Sequence, residues 1–90
     1  MIFTVNPDGS GGQPVGRGGW PEWSPNGRQL TFQDASRTLW DIAVTSVSGA
    51  ERRRVARHGI APHWSPDGTK IVFWRQSPKS EGIYVVGVRG

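Results

Sequence analysis

The chain has 90 residues, 34% of them hydrophobic, a net charge of +4 and no cysteine. That length allows one small domain, which buries only about 60–65% of its unfolded surface and is marginal alone. Disulfides and Cys-ligated metals are excluded as staples, and no apolar run approaches the length of a membrane span.

The opening MIFTVNPDGSGG has neither a basic n-region nor an apolar h-region, so no signal peptide is expected in it. Ile2–Asn6 reads as a strand, NPDGSGG as a hairpin turn and Gln13–Gly16 as the returning strand. The turn carries oxygen ligands, but without the spacing of a calcium loop. A strand over Trp20–Ser24 follows, then SPNG, then a strand over Arg28–Gln33. Pro followed by Asn and Gly is turn chemistry, because Pro presets φ and Gly accepts φ > 0. Trp40–Val47, within WDIAVTSV, is rich in β-branched residues and reads as a strand. Arg52–Ala56, inside ERRRVAR, reads as another. The pattern then recurs: a strand over Ile60–Ser65, the turn SPDG, a strand over Thr69–Trp74, and a last strand, Ile83–Val88, from GIYVVGV. No stretch holds apolar residues at helical spacing for two turns, and seven Pro with thirteen Gly punctuate the chain. The fold class is all-β, with four short antiparallel strands per period.

The recurrence is a true internal repeat. PEWSPNGRQLTF at Pro21 returns as PHWSPDGTKIVF at Pro62, and laying the two halves together at an offset of 41 residues gives eleven identical pairs among 29. Trp23/Trp64, Ser24/Ser65, Pro25/Pro66, Gly27/Gly68, Phe32/Phe73 and Ile42/Ile83 are among them. A partial third copy opens the chain, with Ile2 matching Ile42, Gly9 matching Gly49, Val15 matching Val55 and Arg17 matching Arg57. A period near 40 allows helical solenoids or four-stranded propeller blades, and the β-rich pattern selects the second.

The motif PxWSP[ND]GxxxxF followed by an IYVV-like strand resembles the PD40 (TolB-like, WD40-like) β-propeller repeat, over essentially the whole chain. The resemblance implies that residues 1–19 are the third and fourth strands of a blade, 20–57 a complete blade and 58–90 the first three strands of another. It also implies a periplasmic or extracytoplasmic setting. Such repeats occur in TolB, in the propellers of prolyl-oligopeptidase-like and tricorn-like peptidases, and in bacterial sensors. A non-enzymatic scaffold for protein–protein interaction is the function expected, with the substrate-gating propeller of a peptidase as the alternative.

The residues that invite a chemical reading have structural explanations beside them. Trp23 and Trp64 share a repeat position and are expected to pack one sheet on the next. Ser24 and Ser65 lie near His63 and Asp67 but in no G-x-S-x-G elbow, and each precedes a turn where a hydroxyl bonds local backbone. His58 and His63 are five residues apart without a third metal-type ligand, so neither a metal site nor a cofactor is expected. The arginines of ERRRVAR fit an outer edge strand, where charge blocks edge-to-edge aggregation. Without interleaved aromatics they disfavour a nucleic-acid site.

The loops expected at one face of the propeller carry the remaining candidates for binding: Arg17, Trp20, Arg37, Arg57, His58, Trp74, Arg75 and Lys79, with Asp34 among them. Trp and Arg are enriched at binding hot spots. Trp20 and Trp74 also break the repeat, their counterparts being Ala61 and Gln33. Two blades alone leave apolar faces open, so self-association into a closed ring is expected, with three copies favoured over four. An unidentified protein is the other partner expected, and insertion into a membrane is not.

Overall fold

The computed structural model describes residues 2–4, 13–35, 40–46, 51–75 and 81–89. The fold is all-β and antiparallel. Strands β1 (Ile2–Thr4) and β2 (Gln13–Gly16) pair with each other. Strands β3 (Gly18–Trp23), β4 (Gln29–Asp34), β5 (Asp41–Ser46) and β6 (Arg53–Arg57) form a four-stranded sheet in that order. Strands β7 (Gly59–Trp64), β8 (Lys70–Arg75) and β9 (Gly82–Gly87) form a three-stranded sheet. Among the described residues no helix is long and apolar enough to cross a membrane.

The repeat in the sequence is a repeat in the register. Trp23 pairs with Leu30 as Trp64 pairs with Ile71, and Gly18 with Asp34 as Gly59 with Arg75. β4 pairs with β5 over six unbroken positions, as β8 does with β9. The irregularity recurs as well, since the ladder shifts between Gly19 and Glu22 and again between Ile60 and His63.

Local chemistry builds the two tight hairpins. In Ser24-Pro25-Asn26-Gly27 the Gly27 amide donates to the Ser24 carbonyl at 2.9 Å, and Gly27 sits at φ 72°, which glycine adopts without penalty. The Ser24 hydroxyl donates to Asn26 Oδ1 at 2.7 Å and accepts from the Gln29 amide at 3.0 Å. Asn26 Oδ1 also accepts from the Arg28 amide at 2.9 Å. The Ser65 hydroxyl repeats this with Asp67 at 2.7 Å and the Lys70 amide at 3.0 Å. Both serine hydroxyls are thereby committed to their turns.

Strand bounds depart from the sequence reading by a residue or two. β3 begins at Gly18 instead of Trp20 because Gly18 and Gly19 pair with Asp34 and Gln33. It ends at Trp23 because Ser24 turns the chain. β6 and β9 each shift by one residue from the expected Arg52–Ala56 and Ile83–Val88. The first strand, expected to reach Asn6, is described over Ile2–Thr4, and residues 5–12 lie outside the described part.

The sheets stack face to face. β5 is buried on both faces, as its apolar run anticipates. Successive side chains of a strand point to opposite faces, so Ile42 and Val44 join Trp64, Ile71, Phe73 and Val88 between the two large sheets. Ala43 instead joins Leu30, Phe32 and Ile2 beneath β1. One sequence expectation needs correction here. Trp64 is buried between sheets at 9% exposure, but its counterpart Trp23 is 50% exposed. Ile2 packs with Leu30, Phe32 and Ala43 on the same face, and Trp23 keeps half of its surface open.

Candidate functional site

The strand pairings bring one set of residues to a common edge. Gly18, Asp34, Asp41 and Arg57 lie side by side across the four-stranded sheet. Gly59, Arg75 and Gly82 do so across the three-stranded one. The segments that connect β2 to β3 and β6 to β7 lie at this edge, so Arg17, Trp20, Arg57 and His58 belong to it, with Arg75 at the end of β8.

Backbone strain concentrates at the same place. Trp20, His58 and Ala61 take φ of 60°, 56° and 51°, a region that non-glycine residues enter rarely and at a cost. Trp20 and Ala61 hold equivalent places in the two ladder irregularities, so the strain belongs to the repeat. In Trp20 it accompanies an indole 59% exposed. Gly18, at φ 141°, has no alternative, because a Cβ would sit 1.8 Å from the Gln33 carbonyl oxygen.

Buried carboxylates organise the edge. Asp41 Oδ1 accepts from the His58 amide at 3.3 Å, and Asp41 Oδ2 lies 3.7 Å from Arg54. The Trp40 carbonyl accepts from the Gly59 amide at 3.1 Å. These contacts tie the entry of β5 to the crossing from β6 into β7. Arg17, Arg57 and His58 stay exposed. Arg75 does not serve as the exposed contact expected of it, since its guanidinium lies 4.4 Å from the Tyr84 ring centroid and 5.6 Å from that of Phe73. Stacking on aromatic faces holds it against the sheet. Trp74, half-buried, pairs with Ile60 and Ile83 on the outer face of the last sheet. Arg37 and Lys79 lie outside the described residues.

Two residues that the sequence reading passed over join the sheets. Gln33 Oε1 accepts from the Ala61 amide at 2.8 Å, so a β4 side chain satisfies the irregular β7 backbone. Glu22 accepts from the Trp64 amide through Oε1 at 2.8 Å and from the Trp64 indole through its carbonyl at 2.9 Å. Its Oε2 meets His63 Nδ1 at 2.8 Å. A charged residue on an inner strand and a glutamine where the sister repeat has Trp74 were the available signals.

The edge can offer cations and an aromatic surface to a partner. Among the described residues no group of three or more His, Cys, Asp or Glu could hold a metal ion. At the opposite end of the strands, an open cleft of about 830 Å³ runs between the two turns and is flanked by Arg53 and Arg89. Arg53 there donates to the Val88 carbonyl. No family model matches the chain, and no curated protein matches it.

Proposed function

We propose that the chain is a non-enzymatic β-propeller scaffold for protein–protein interaction, of the TolB-like kind its motif resembles. The observation that carries this reading is the edge itself. Arg17, Trp20, Arg57 and His58 are exposed at the same end of the strands, where Asp41 bonds the His58 amide and the strand irregularity recurs. Rigid presentation of Trp and Arg is what binding hot spots use. The Ser24 and Ser65 hydroxyls are consumed by turns, which supports a chain without hydrolysis of its own, as a scaffold or as the substrate-gating propeller of a peptidase.

The test is site-directed photo-cross-linking in the protein's own cells. A photo-reactive residue replacing Arg57 or His58 is expected to trap a distinct protein, and one replacing Arg28, on the opposite edge, is not. Equal trapping at both edges, or adducts with nucleic acid alone, would overturn the reading. Labelling of the purified chain by a serine-directed fluorophosphonate would overturn its non-enzymatic part.

A further inference from the structure

The stack contains a finished joint and the two halves of another. Where the sheets meet, Ile42 and Val44 are fully buried against Trp64, Ile71 and Phe73. Their repeat counterparts on β9, Ile83 and Val85, are 71% and 62% exposed, on the outer face of the last sheet. On the opposite side of the stack, Leu30 and Phe32 stand where Ile71 and Phe73 stand, and Trp23 stands half-exposed where Trp64 is buried. The last sheet thus presents an upper face equivalent to one that is already paired. The four-stranded sheet presents part of the lower face that pairs with it.

The two tryptophans that break the repeat fall on these two halves. Inside the chain, Gln33 reaches over the joint to the Ala61 amide at 2.8 Å. The counterpart of Gln33 is Trp74, on the upper face, and the counterpart of Ala61 is Trp20, exposed in the equivalent irregularity of β3. A polar tie within the chain becomes a pair of indoles when the same step is taken from one chain to another. That explains two otherwise unrelated substitutions by one geometry.

We infer that the chain docks head to tail on further copies of itself, with the Ile83 and Val85 face of one copy on the Trp23 side of the next and Trp74 of one against Trp20 of the other. The inference rests on the repeat-scaffold reading above and names a second copy as the partner for that end of the edge. β7 and β8 then cover the half of Trp23 on β3 of the next copy that its own chain leaves exposed. β9 and β1 compete for one place. β9 is anchored to β8 over six unbroken positions and has a free outer edge among the described strands, whereas β1 is held only by three pairs to β2 with a shift. β9 therefore takes the position beside β2, and Ile83 replaces Ile2 on Leu30 and Phe32. Such a joint is heterologous and closes into a ring when its rotation allows. With two repeats per chain, three copies give six sheets and four give eight, both within the range of closed propellers.

The test uses the 90-residue chain. Sedimentation equilibrium is expected to show a closed oligomer for the wild type. Val85→Glu and Trp20→Glu, which spoil opposite halves, should each weaken association by about two orders of magnitude, the scale for a carboxylate buried without a partner. Mixed together they should form a 1:1 heterodimer, because each retains the half that the other lacks. Two single-site variants, at exposed Trp20 and half-buried Trp74, add a readout by proximity in a chain that has no cysteine of its own. A short bis-maleimide should join Trp20→Cys to Trp74→Cys chains and should not join like to like. A folded monomer at all concentrations, no rescue on mixing, or like-with-like cross-links would overturn the inference. Trapping at Arg57 would still stand or fall on its own.

Discussion

Replacing Trp64 with alanine should cost far more than replacing Trp23, although the two are the same residue of the same repeat. Trp64 is 9% exposed and packs with Ile42, Val44, Ile71, Phe73 and Val88 between the sheets. An indole buries on the order of 200 Å², worth about 5 kcal/mol at 25 cal/mol per Å². Alanine retains part of that, while an unfilled cavity and the lost indole bond to the Glu22 carbonyl act the other way. The expected loss is about 3–5 kcal/mol, the range for large core aromatics. It is a large share of the roughly 5–15 kcal/mol that stabilises a typical domain. Trp23, 50% exposed, has about half as much to lose and an open side that leaves no cavity, so Trp23→Ala should cost about 1–2 kcal/mol. Urea melts at several protein concentrations supply both values and separate the contribution of association. Equal losses at low concentration would refute the reasoning, because they would mean that neighbouring sheets do not decide the burial of this position.

Three further outcomes are expected. The Ser65 hydroxyl foremost, then the Thr69 amide and hydroxyl, hold the Asp67 carboxyl down from 3.8 to about 2. A folded value below the unfolded one means that the stabilisation is complete above about pH 4 and is lost as the pH falls toward 2. Asp67→Asn, which copies the Asn26 turn, should keep the fold and flatten the dependence of the urea midpoint across that window; an unchanged slope would count against the assignment. Gly59→Ala should destabilise by about 1–3 kcal/mol through overpacking, since the added Cβ would lie 2.6 Å from Ile42 and 2.7 Å from Phe73, and thermal melts will show it. Glu22→Ala should cost about 1–3 kcal/mol by leaving the Trp64 amide without its acceptor, whereas Glu22→Gln keeps an oxygen there and His63→Ala removes only an exposed pair, so both should melt close to wild type.

The contrast between these positions shows what the sequence could and could not reveal. The hairpin turns were legible because every bond that shapes them lies within six residues, and Ser, Pro, Asn or Asp, and Gly each have one reason to be there. β5 was legible because a strand covered on both faces needs an unbroken apolar run. The exposure of Trp23 was not legible, because it depends on which part of the lower face β1 and β2 reach. The positive φ of Trp20 carries no signal in residue type, as tryptophan has no preference for that region. Arg75 is expected among the binding cations because the sequence reading ends its strand at Trp74. The rings that hold it, Phe73 and Tyr84, become visible only once β8 and β9 are paired. Of the expected binding edge, Arg17, Trp20, Arg57 and His58 could be assigned to one end of the strands from strand order alone. Asp41, whose carboxylate holds the His58 amide, could not.

The Ser-Pro-Asx-Gly turns also bear on how the chain reaches its structure. All their hydrogen bonds are local, so each hairpin can close on the microsecond scale of an isolated hairpin, before any sheet has met another. Contacts such as that of Trp64 with Ile42 span a longer loop, whose closure entropy must be met first. The barrier to folding should then lie at the docking of preformed hairpins. Mutations in Ser24 or Ser65 would act chiefly on the folding rate, and mutations in Trp64 chiefly on the unfolding rate. A chain built from such units has two equivalent places to begin.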